Sequence, residues 1–447
     1  MAVYRLIGDE AGRMRTAVRT DYNAGQSELG TDSAPSTRPA SAVSEVTGLI
    51  GVVALFGAIT AAIYFDTTLP QSIFLLMSGA AIPMIASTIL LDKAHLRSST
   101  GLDYGLNRQR SEVASITITK TLGLGATLFV IALAYQIIPT YDTSKYQIVR
   151  ALTALVFPFL WVFSPVYIAF TTRHMIEPRD ELWHFGKFVT FQFSAVDMTY
   201  VKDHCRAWLV KGFFLAFMVS ILPMIVHSVV NSNLDRVFGE PVLIILYLVQ
   251  VSFLVDVCIG TIGYVCTFKV LNSHIRSANP FLSGWVAALI CYPPFVIMHS
   301  GGPLDYRGGT QEWGVWLADQ PTVLILWGSV ILLLAATYAW ATVAFGIRFS
   351  NLTHRGIITT GPFRYVKHPA YLSKNLMWWM VYMPFLSVMG TTAAIQSCIL
   401  LLGVNAVYFA RAKTEEKHLM ADEDYRKYAE WIRTNGLFAR HLRRRDI

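Results

Sequence analysis

Charged residues are scarce in this sequence: Asp, Glu, Lys and Arg make up only 15% of its 447 residues, whereas 54% are hydrophobic. Soluble globular domains contain about 25% charged residues, so this composition excludes an ordinary soluble protein. Apolar runs long enough to cross a hydrocarbon core of about 30 Å recur along the chain. The composition therefore predicts an all-α, polytopic membrane protein.

Cysteine is also rare, and the five cysteines form no Cys-x-x-Cys pair. Zinc sites and disulfide frameworks need closely spaced or regularly paired cysteines, so neither is predicted. A cleavable signal peptide is not expected, because a polar, Ser/Thr/Pro/Ala-rich stretch at 33–43 precedes the first apolar run. We predict that residues 1–44 form a disordered cytoplasmic tail.

Ten apolar segments are predicted to span the membrane, at 45–65, 72–91, 121–139, 149–170, 208–230, 241–268, 281–298, 322–345, 376–389 and 391–410. Lys and Arg concentrate on the cytoplasmic side of membrane proteins. With the N-terminus inside, 33 of the 37 Lys and Arg residues fall in cytoplasmic segments of this topology. We therefore predict that both termini are cytoplasmic. The net charge of +8 reflects this orientation and contact with anionic lipid headgroups, and no nucleic-acid partner is predicted.

One acidic residue, Asp256, lies in the middle of a predicted span. A polar group at membrane depth is costly and therefore informative. Asp256 is compatible with substrate binding or a proton relay, and equally with a helix-to-helix hydrogen bond inside the bundle. The sequence leaves both interpretations open.

A polar stretch at 361–375, GPFRYVKHPAYLSKN, lies between two strongly apolar runs. Proline lacks an amide donor and restricts the residue before it, so this stretch is predicted to be a loop that turns backbone groups toward a ligand. After the apolar hairpin at 376–410 come Arg411 and Glu415, which are neighbours on one helix face because they are four residues apart. The hairpin is expected to bring this helix end back to the loop.

The two segments carry a family resemblance. RGIITTGPFRYVKHPAYLS, an apolar hairpin and RAKTEEKHLMADEDYRKY resemble the isoprenylcysteine carboxyl methyltransferase family of integral membrane enzymes and its relatives, which include phospholipid methyltransferases. That family shows G-P-Y-R-x-x-R-H-P-x-Y-x-G, a helical hairpin, E-E-x-x-L and G-x-E-Y-x-x-Y. The resemblance covers roughly residues 345–430. It departs from the pattern at Phe363, Lys367 and Ser373, where the family has Tyr, Arg and Gly.

The resemblance implies a site for S-adenosylmethionine. Carried over by motif position, the implied cofactor-binding residues are Arg355, Gly356, Ile357, Ile358, Phe363, His368, Pro369, Ala370, Tyr371 and Glu415, and the implied catalytic residues are Arg411 and Glu415. Arg411 matches the arginine that faces the methyl acceptor, and an arginine there favours an anionic acceptor group. A sulfonium cation favours aromatic faces and a nearby carboxylate, and no metal is predicted.

These features predict an N-terminal transmembrane bundle at 45–240 and a methyltransferase-like membrane domain with a cytoplasmic cofactor pocket at 241–447. The expected activity is S-adenosylmethionine-dependent methylation of a lipid or prenylated small molecule at the cytoplasmic leaflet. Resemblance to bacterial family members predicts the bacterial inner membrane, and no protein partner is identified.

Two alternatives stay open. Sterol reductases that use NADPH share a ten-span count and an R-H-x-N-Y-x-G motif, although this sequence has Ala370 where they favour Asn. A transporter or scaffold that keeps a degenerate methyltransferase fold is the other alternative, motivated by Asp256 and the large N-terminal bundle.

Overall fold

The computed structural model of the protein describes residues 37–437 and 439. Its α-helices are α1 (Glu45–Tyr64), α2 (Leu69–Leu90), α3 (Arg110–Ile137), α4 (Gln147–His174), α5 (Glu181–Val189), α6 (Met198–Val230), α7 (Leu234–Gly239), α8 (Pro241–Val265), α9 (Leu282–Leu289), α10 (Trp313–Trp316), α11 (Pro321–Phe345), α12 (Pro369–Tyr382), α13 (Thr391–Leu419) and α14 (Glu423–Asn435). Short 3-10 helices lie at Ala94–Leu96, Ser98–Thr100, Pro139–Asp142, Ser144–Tyr146, Phe193–Ala195, Gly346–Arg348 and Gly361–Arg364. Two short strands, β1 (Ser277–Ala278) and β2 (Thr353–His354), pair antiparallel.

The all-α prediction is confirmed, and the described residues contain 8 helices long and apolar enough to cross a membrane. They lie at Glu45–Tyr64, Leu69–Leu90, Arg110–Ile137, Ser144–His174, Met198–Val230, Pro241–Val265, Pro321–Arg348 and Thr391–Leu419. The chain is thus a multi-pass membrane protein. The prediction of ten transmembrane helices is wrong in two places.

The first of these is the predicted span at 281–298. It contains only α9, a helix of 8 residues, followed by irregular chain. Pro293 and Pro294 follow the end of α9 and have no N–H to donate to a helix. An average of hydrophobicity over the whole segment does not register this local interruption.

The second is the predicted span at 376–389. Its helix, α12, begins earlier, at Pro369, and has 14 residues, which is roughly 21 Å at the rise of an α-helix. The helix ends where Met383 adopts a left-handed conformation with φ of 41°, directly before Pro384. It is therefore too short to be a regular transmembrane helix.

The chain nevertheless reverses direction in both places. Gly328 on α11 faces Ile245 on α8, and Thr342 farther along α11 donates a hydrogen bond to Asp256 farther along α8, so these two helices run parallel. The chain between them must return along their length, and it does so through α9 and irregular backbone. Such backbone is tolerated at membrane depth where it is packed inside protein.

The hydrogen bond from Thr342 also locates Asp256. This residue is 7% exposed and lies in the interface between α8 and α11. Of the two interpretations left open by the sequence, the position of Asp256 matches the helix-to-helix hydrogen bond.

The largest apolar cluster crosses the domain boundary predicted at residue 240. It joins side chains of α1, α2, α6 and α8 with the end of α11, including Leu55, Met84, Val226, Ile259 and Ile347. Helices from both halves of the chain therefore share one core, and burial of this apolar surface ties the C-terminal helices to the N-terminal ones.

Part of the predicted disordered tail is ordered. Residues 1–36 lie outside the described residues, but 37–44 run in a non-helical conformation beside the loop after β2. The Ala42 N–H donates to the Ile357 carbonyl at 2.9 Å, and Val43 is 4% exposed. Low hydrophobicity predicted disorder here, whereas pairing with a distant loop holds the segment in place.

Candidate functional site

A cavity with about 1250 Å³ of empty space, part of it open to solvent, lies where α11, α12 and α13 meet the loop that follows β2. Its lining combines aromatic and apolar side chains with a few polar and charged groups, as small-molecule sites generally do. The residues expected from the sequence to contact cofactor or acceptor all line it, namely Arg355, Gly356, Ile357, Ile358, Phe363, His368, Pro369, Ala370, Tyr371, Arg411 and Glu415.

Local backbone chemistry explains the shape of the cavity wall that the loop after β2 forms. Pro362 and Pro369 each occupy the first turn of a helix, the 3-10 helix at Gly361–Arg364 and α12 respectively. Proline suits that position because its missing N–H would have no partner in the helix. The Gly-Pro and His-Pro pairs of the sequence therefore mark two helix starts. His368 and Pro369 line the cavity themselves, and the first helix contributes Phe363 to the cavity wall.

Gly356 is required by the backbone at this wall. Its φ of +102° is unfavourable for residues with a side chain, and an added Cβ would lie 2.5 Å from Arg348 Nη1 and 2.6 Å from Ala42 Cβ. We expect Gly356→Ala to destabilise the protein by about 1–3 kcal/mol, measured by thermal unfolding in detergent. Gly57→Ala is the control, because a Cβ added there would meet no described atom within 4 Å apart from its chain neighbours and the backbone of its own helix. Equal unfolding temperatures for the two variants would contradict this expectation.

The loop and α13 meet through side-chain contacts. The Tyr371 hydroxyl donates a hydrogen bond to Glu415 Oε1, and His368 Nε2 lies 3.2 Å from Glu416 Oε1. The His368 ring stacks on the Tyr371 ring with a centroid distance of 5.6 Å. Burial raises the pKa of the Tyr371 phenol well above its ordinary range, so this hydroxyl stays protonated and acts as a donor to the carboxylate.

The two adjacent carboxylates have different surroundings. Glu416 lies among cationic groups on the outer side, with Lys413 Nζ at 3.1 Å and Lys367 Nζ at 3.9 Å. Glu415 instead lines the cavity, with Tyr371 as its hydrogen-bond donor. Glu415 is therefore the carboxylate available to a bound molecule.

Arg411 is a cation held inside the cavity wall. It is 2% exposed, its Nη2 donates to Asn351 Oδ1 at 2.6 Å, and its Nε lies 3.5 Å from Glu415 Oε1. The guanidinium carbon lies 5.1 Å from the centre of the Tyr371 ring and 5.5 Å from that of Tyr292, within the range of cation–π attraction. A fixed cation of this kind suits an anionic group of a bound molecule.

Arg355 lines the cavity, but its guanidinium is used to hold the surrounding main chain in place. All five of its N–H groups donate to main-chain carbonyls, at distances from 2.7 to 3.0 Å; the acceptors are Ser273, Gly263, Phe349, Cys266 and Ile347. Its own carbonyl accepts from Arg348 Nη1 at 2.8 Å. The side chain of Arg355 thus shapes the wall, and the neighbouring residues 356–358 present the backbone there.

Three buried polar atoms at the cavity have no hydrogen-bond partner among the described residues: His354 Nε2, Arg411 Nε and Tyr425 Oη. All three side chains line the cavity. Buried polar atoms in native proteins almost always have partners, so a bound molecule with acceptor atoms fits this site.

Several lining residues were given no cofactor or catalytic role from the sequence. They include Tyr292, Tyr338, Asn351, Lys374 and Tyr408. Helical spacing offered a signal for two of them, since Lys374 follows Tyr371 by three residues and Tyr408 precedes Arg411 by three. Tyr292 has no such signal, because it comes from the irregular chain after α9.

Comparison with known proteins agrees with this geometry. Residues 323–421 match the model of the isoprenylcysteine carboxyl methyltransferase (ICMT) family, and no curated protein and no solved structure matches the chain. The matched segment includes most of α11, all of α12 and α13, and the loop between them, which are the main walls of the cavity. Residues 323–421 of this multi-pass membrane protein are therefore an isoprenylcysteine carboxyl methyltransferase family domain.

Proposed function

We propose that this protein transfers a methyl group from S-adenosylmethionine to a lipid or prenylated small molecule. The proposal rests chiefly on the hydrogen bond between Tyr371 and Glu415, which closes the loop and α13 around one cavity inside the family domain. Two segments that the family pattern assigns to the same cofactor are thus walls of the same space.

The residues of the cavity fit S-adenosylmethionine, which supplies an electrophilic methyl group on a sulfonium when bound. The aromatic rings of Phe363 and Tyr371 and the carboxylate of Glu415 suit a cation, and all three line the cavity. The backbone at 356–358 and the unpartnered Tyr425 hydroxyl offer polar contacts for the rest of the molecule.

The protein's own contribution is to align donor and acceptor and to exclude water, which by itself accelerates a reaction between two bound molecules strongly. Arg411 binds and orients the acidic group of the acceptor through its Nε, which makes no hydrogen bond within the described part of the chain. Asn351 holds the guanidinium from the other side. A carboxylate acceptor would carry no proton, so its methylation would need no general base.

The acceptor we propose is amphipathic. The cavity lies at the ends of α11 and α13, two of the helices long and apolar enough to cross a membrane. An acyl or prenyl chain would lie in the bilayer beside them while its polar head enters the cavity. The Lys/Arg-rich segments at 346–375 and 411–447 favour the cytoplasmic leaflet, and a bacterial inner membrane remains our proposed location.

Binding of purified protein to two cofactors tests this proposal against the reductase alternative. We expect saturating S-adenosylmethionine to raise the unfolding temperature, since a ligand that binds only the folded state stabilises it by about 2.7 kcal/mol at 100 times its Kd. NADPH is expected to leave the unfolding temperature unchanged. Stabilisation by NADPH and not by S-adenosylmethionine would instead favour the reductase.

The acceptor is identified by mass spectrometry of membrane lipids from cells with and without the protein. A lipid heavier by about 14 Da, one methylene, should appear only where the active protein is present. Cells that carry the Glu415→Ala variant are the matched control.

A further inference from the structure

A short segment outside the family domain lies against the loop that follows β2. Residues 39–45, called the strap here, precede and begin α1, and they run beside residues 356–364. The Ala42 N–H donates to the Ile357 carbonyl at 2.9 Å, and Thr359 Oγ1 donates to the Pro39 carbonyl at 2.8 Å. The strap thus pairs with the loop through its backbone.

The strap also packs into the apolar cluster beneath the loop. Val43 is buried with Ile357, Phe363 and Tyr428, whose side chains line the cavity. Among the described residues, the side chains that line the cavity include no member of the strap. Any effect of the strap on a bound molecule is therefore transmitted through the loop.

Glu45 makes the contact closest to the Gly-Pro motif. Its Oε1 accepts from the Gly361 N–H at 3.1 Å and also pairs with the Arg364 guanidinium. Side chains of Glu45 and Arg364 are 51% and 35% exposed, so the ion pair alone contributes little. The hydrogen bond to Gly361 instead orients the start of the 3-10 helix that carries Phe363.

The N-terminal helices hold the strap from the other side. Arg97, in the connection between α2 and α3, donates from Nη1 to the Ala42 carbonyl at 3.0 Å. Ala42 therefore uses its N–H for the loop and its carbonyl for the bundle. A chain of direct hydrogen bonds runs from Arg97 through Ala42 to Ile357.

From these contacts we infer that the strap, held by Arg97, positions residues 356–364 for S-adenosylmethionine, so that the N-terminal part of the chain completes the cofactor site. Glu45, Ala42 and Arg97 are positioning residues. The inference rests on the proposed function, because it names how that site is kept in shape. A simpler role for Glu45 is to stabilise α1, since an acidic residue in the first turn interacts favourably with the helix dipole.

The two roles are separated by substitutions in the full-length protein, with the Kd for S-adenosylmethionine measured by calorimetry. We expect Glu45→Ala to raise the Kd about tenfold, as expected for one lost hydrogen bond together with a weak ion pair. Glu45→Gln should raise it only about threefold, because its amide oxygen still accepts from the Gly361 N–H. Glu112→Ala is the matched control. Glu112 also lies in the first turn of a helix and pairs with Arg108 at 3.6 Å, but it lies away from the cavity. The Kd of this variant for S-adenosylmethionine should be unchanged.

Arg97→Met supplies a second variant that leaves α1 intact, and we expect it to raise the Kd about threefold. Hydrogen exchange of residues 356–364 without ligand gives an independent readout, which should be faster in Glu45→Ala and Arg97→Met than in Glu112→Ala. Wild-type affinity in both Glu45→Ala and Arg97→Met would overturn the inference while leaving the proposed function intact. Absence of S-adenosylmethionine binding in the wild-type protein would overturn the proposed function itself.

Discussion

Replacing Glu415 with glutamine is expected to weaken S-adenosylmethionine binding about a hundredfold while the protein stays folded. Glu415 accepts the Tyr371 hydrogen bond and lies 3.5 Å from Arg411 Nε, so its carboxylate connects the aromatic wall to the buried cation. Hydrogen bonds that involve a charged group contribute about 1.5–3 kcal/mol, and under the proposed function the carboxylate would also attract the sulfonium. Titration calorimetry of the purified variant measures the loss.

Two further variants sharpen this experiment. Tyr371→Phe keeps the ring and removes only the hydroxyl, so we expect a smaller loss of affinity, about tenfold. Glu423→Gln is the control, because Glu423 is an exposed carboxylate paired with Lys427 at 2.6 Å, and its affinity should equal that of the wild type. Unchanged binding by Glu415→Gln would exclude Glu415 from the cofactor site.

Replacing Arg355 with methionine is expected to destabilise the protein by about 3–5 kcal/mol, because a buried polar group left without its partner costs about 1–3 kcal/mol and several carbonyls lose their donor at once. Burial lowers the pKa of the Arg355 guanidinium to about 9, which leaves it charged at neutral pH. Its five charge-assisted bonds connect the end of α8, the chain before β1 and the chain after α11. Without the guanidinium, five buried carbonyls lose their donor. Denaturant unfolding in detergent measures the effect.

Lysine at position 355 is the informative second variant. Its ammonium has three donors and lacks the planar fork of arginine, so Arg355→Lys should recover only part of the lost stability. Arg433→Met is the control, because Arg433 is exposed and its one ion pair among the described residues is with Glu430 on the same helix. The stability of this variant should be unchanged. An Arg355→Met variant as stable as this control would show that the five carbonyls do not need the guanidinium.

The Glu415 and Arg355 variants separate binding from folding. Both residues line the same cavity and both were assigned to the cofactor by their motif positions. The structure gives them different tasks, since the Arg355 donors are all used on main-chain carbonyls and Glu415 faces the cavity. Loss of binding without loss of stability is therefore expected only for Glu415.

The departures from the family pattern are compatible with the fold. Ser373 is buried in α12 and its hydroxyl donates to the Pro369 carbonyl at 2.8 Å, so the serine is satisfied without a ligand. Lys367 keeps a positive charge beside Glu416. The ring of Phe363 packs edge-on against Phe345 within an apolar cluster.

Composition, residue spacing and local backbone chemistry were enough to predict several structural properties of this protein. Apolar runs indicated a multi-pass membrane protein, the four-residue spacing placed Arg411 and Glu415 on one helix face, and the Gly-Pro and His-Pro pairs marked two helix starts. Each of these properties depends on residues close together in the chain, so neighbouring letters of the sequence are enough to predict it.

Only the tertiary structure decided which distant residues complete the cavity. Tyr292 and Asn351 reach Arg411 from separate segments, and Ala42 pairs with Ile357 across more than three hundred residues of chain. Tertiary structure also decided that two apolar segments return as short helices and irregular chain, because packing inside protein lets such backbone replace a full membrane-spanning helix. Contacts of this kind depend on the packing of all the helices together, and no local pattern in the sequence encodes them.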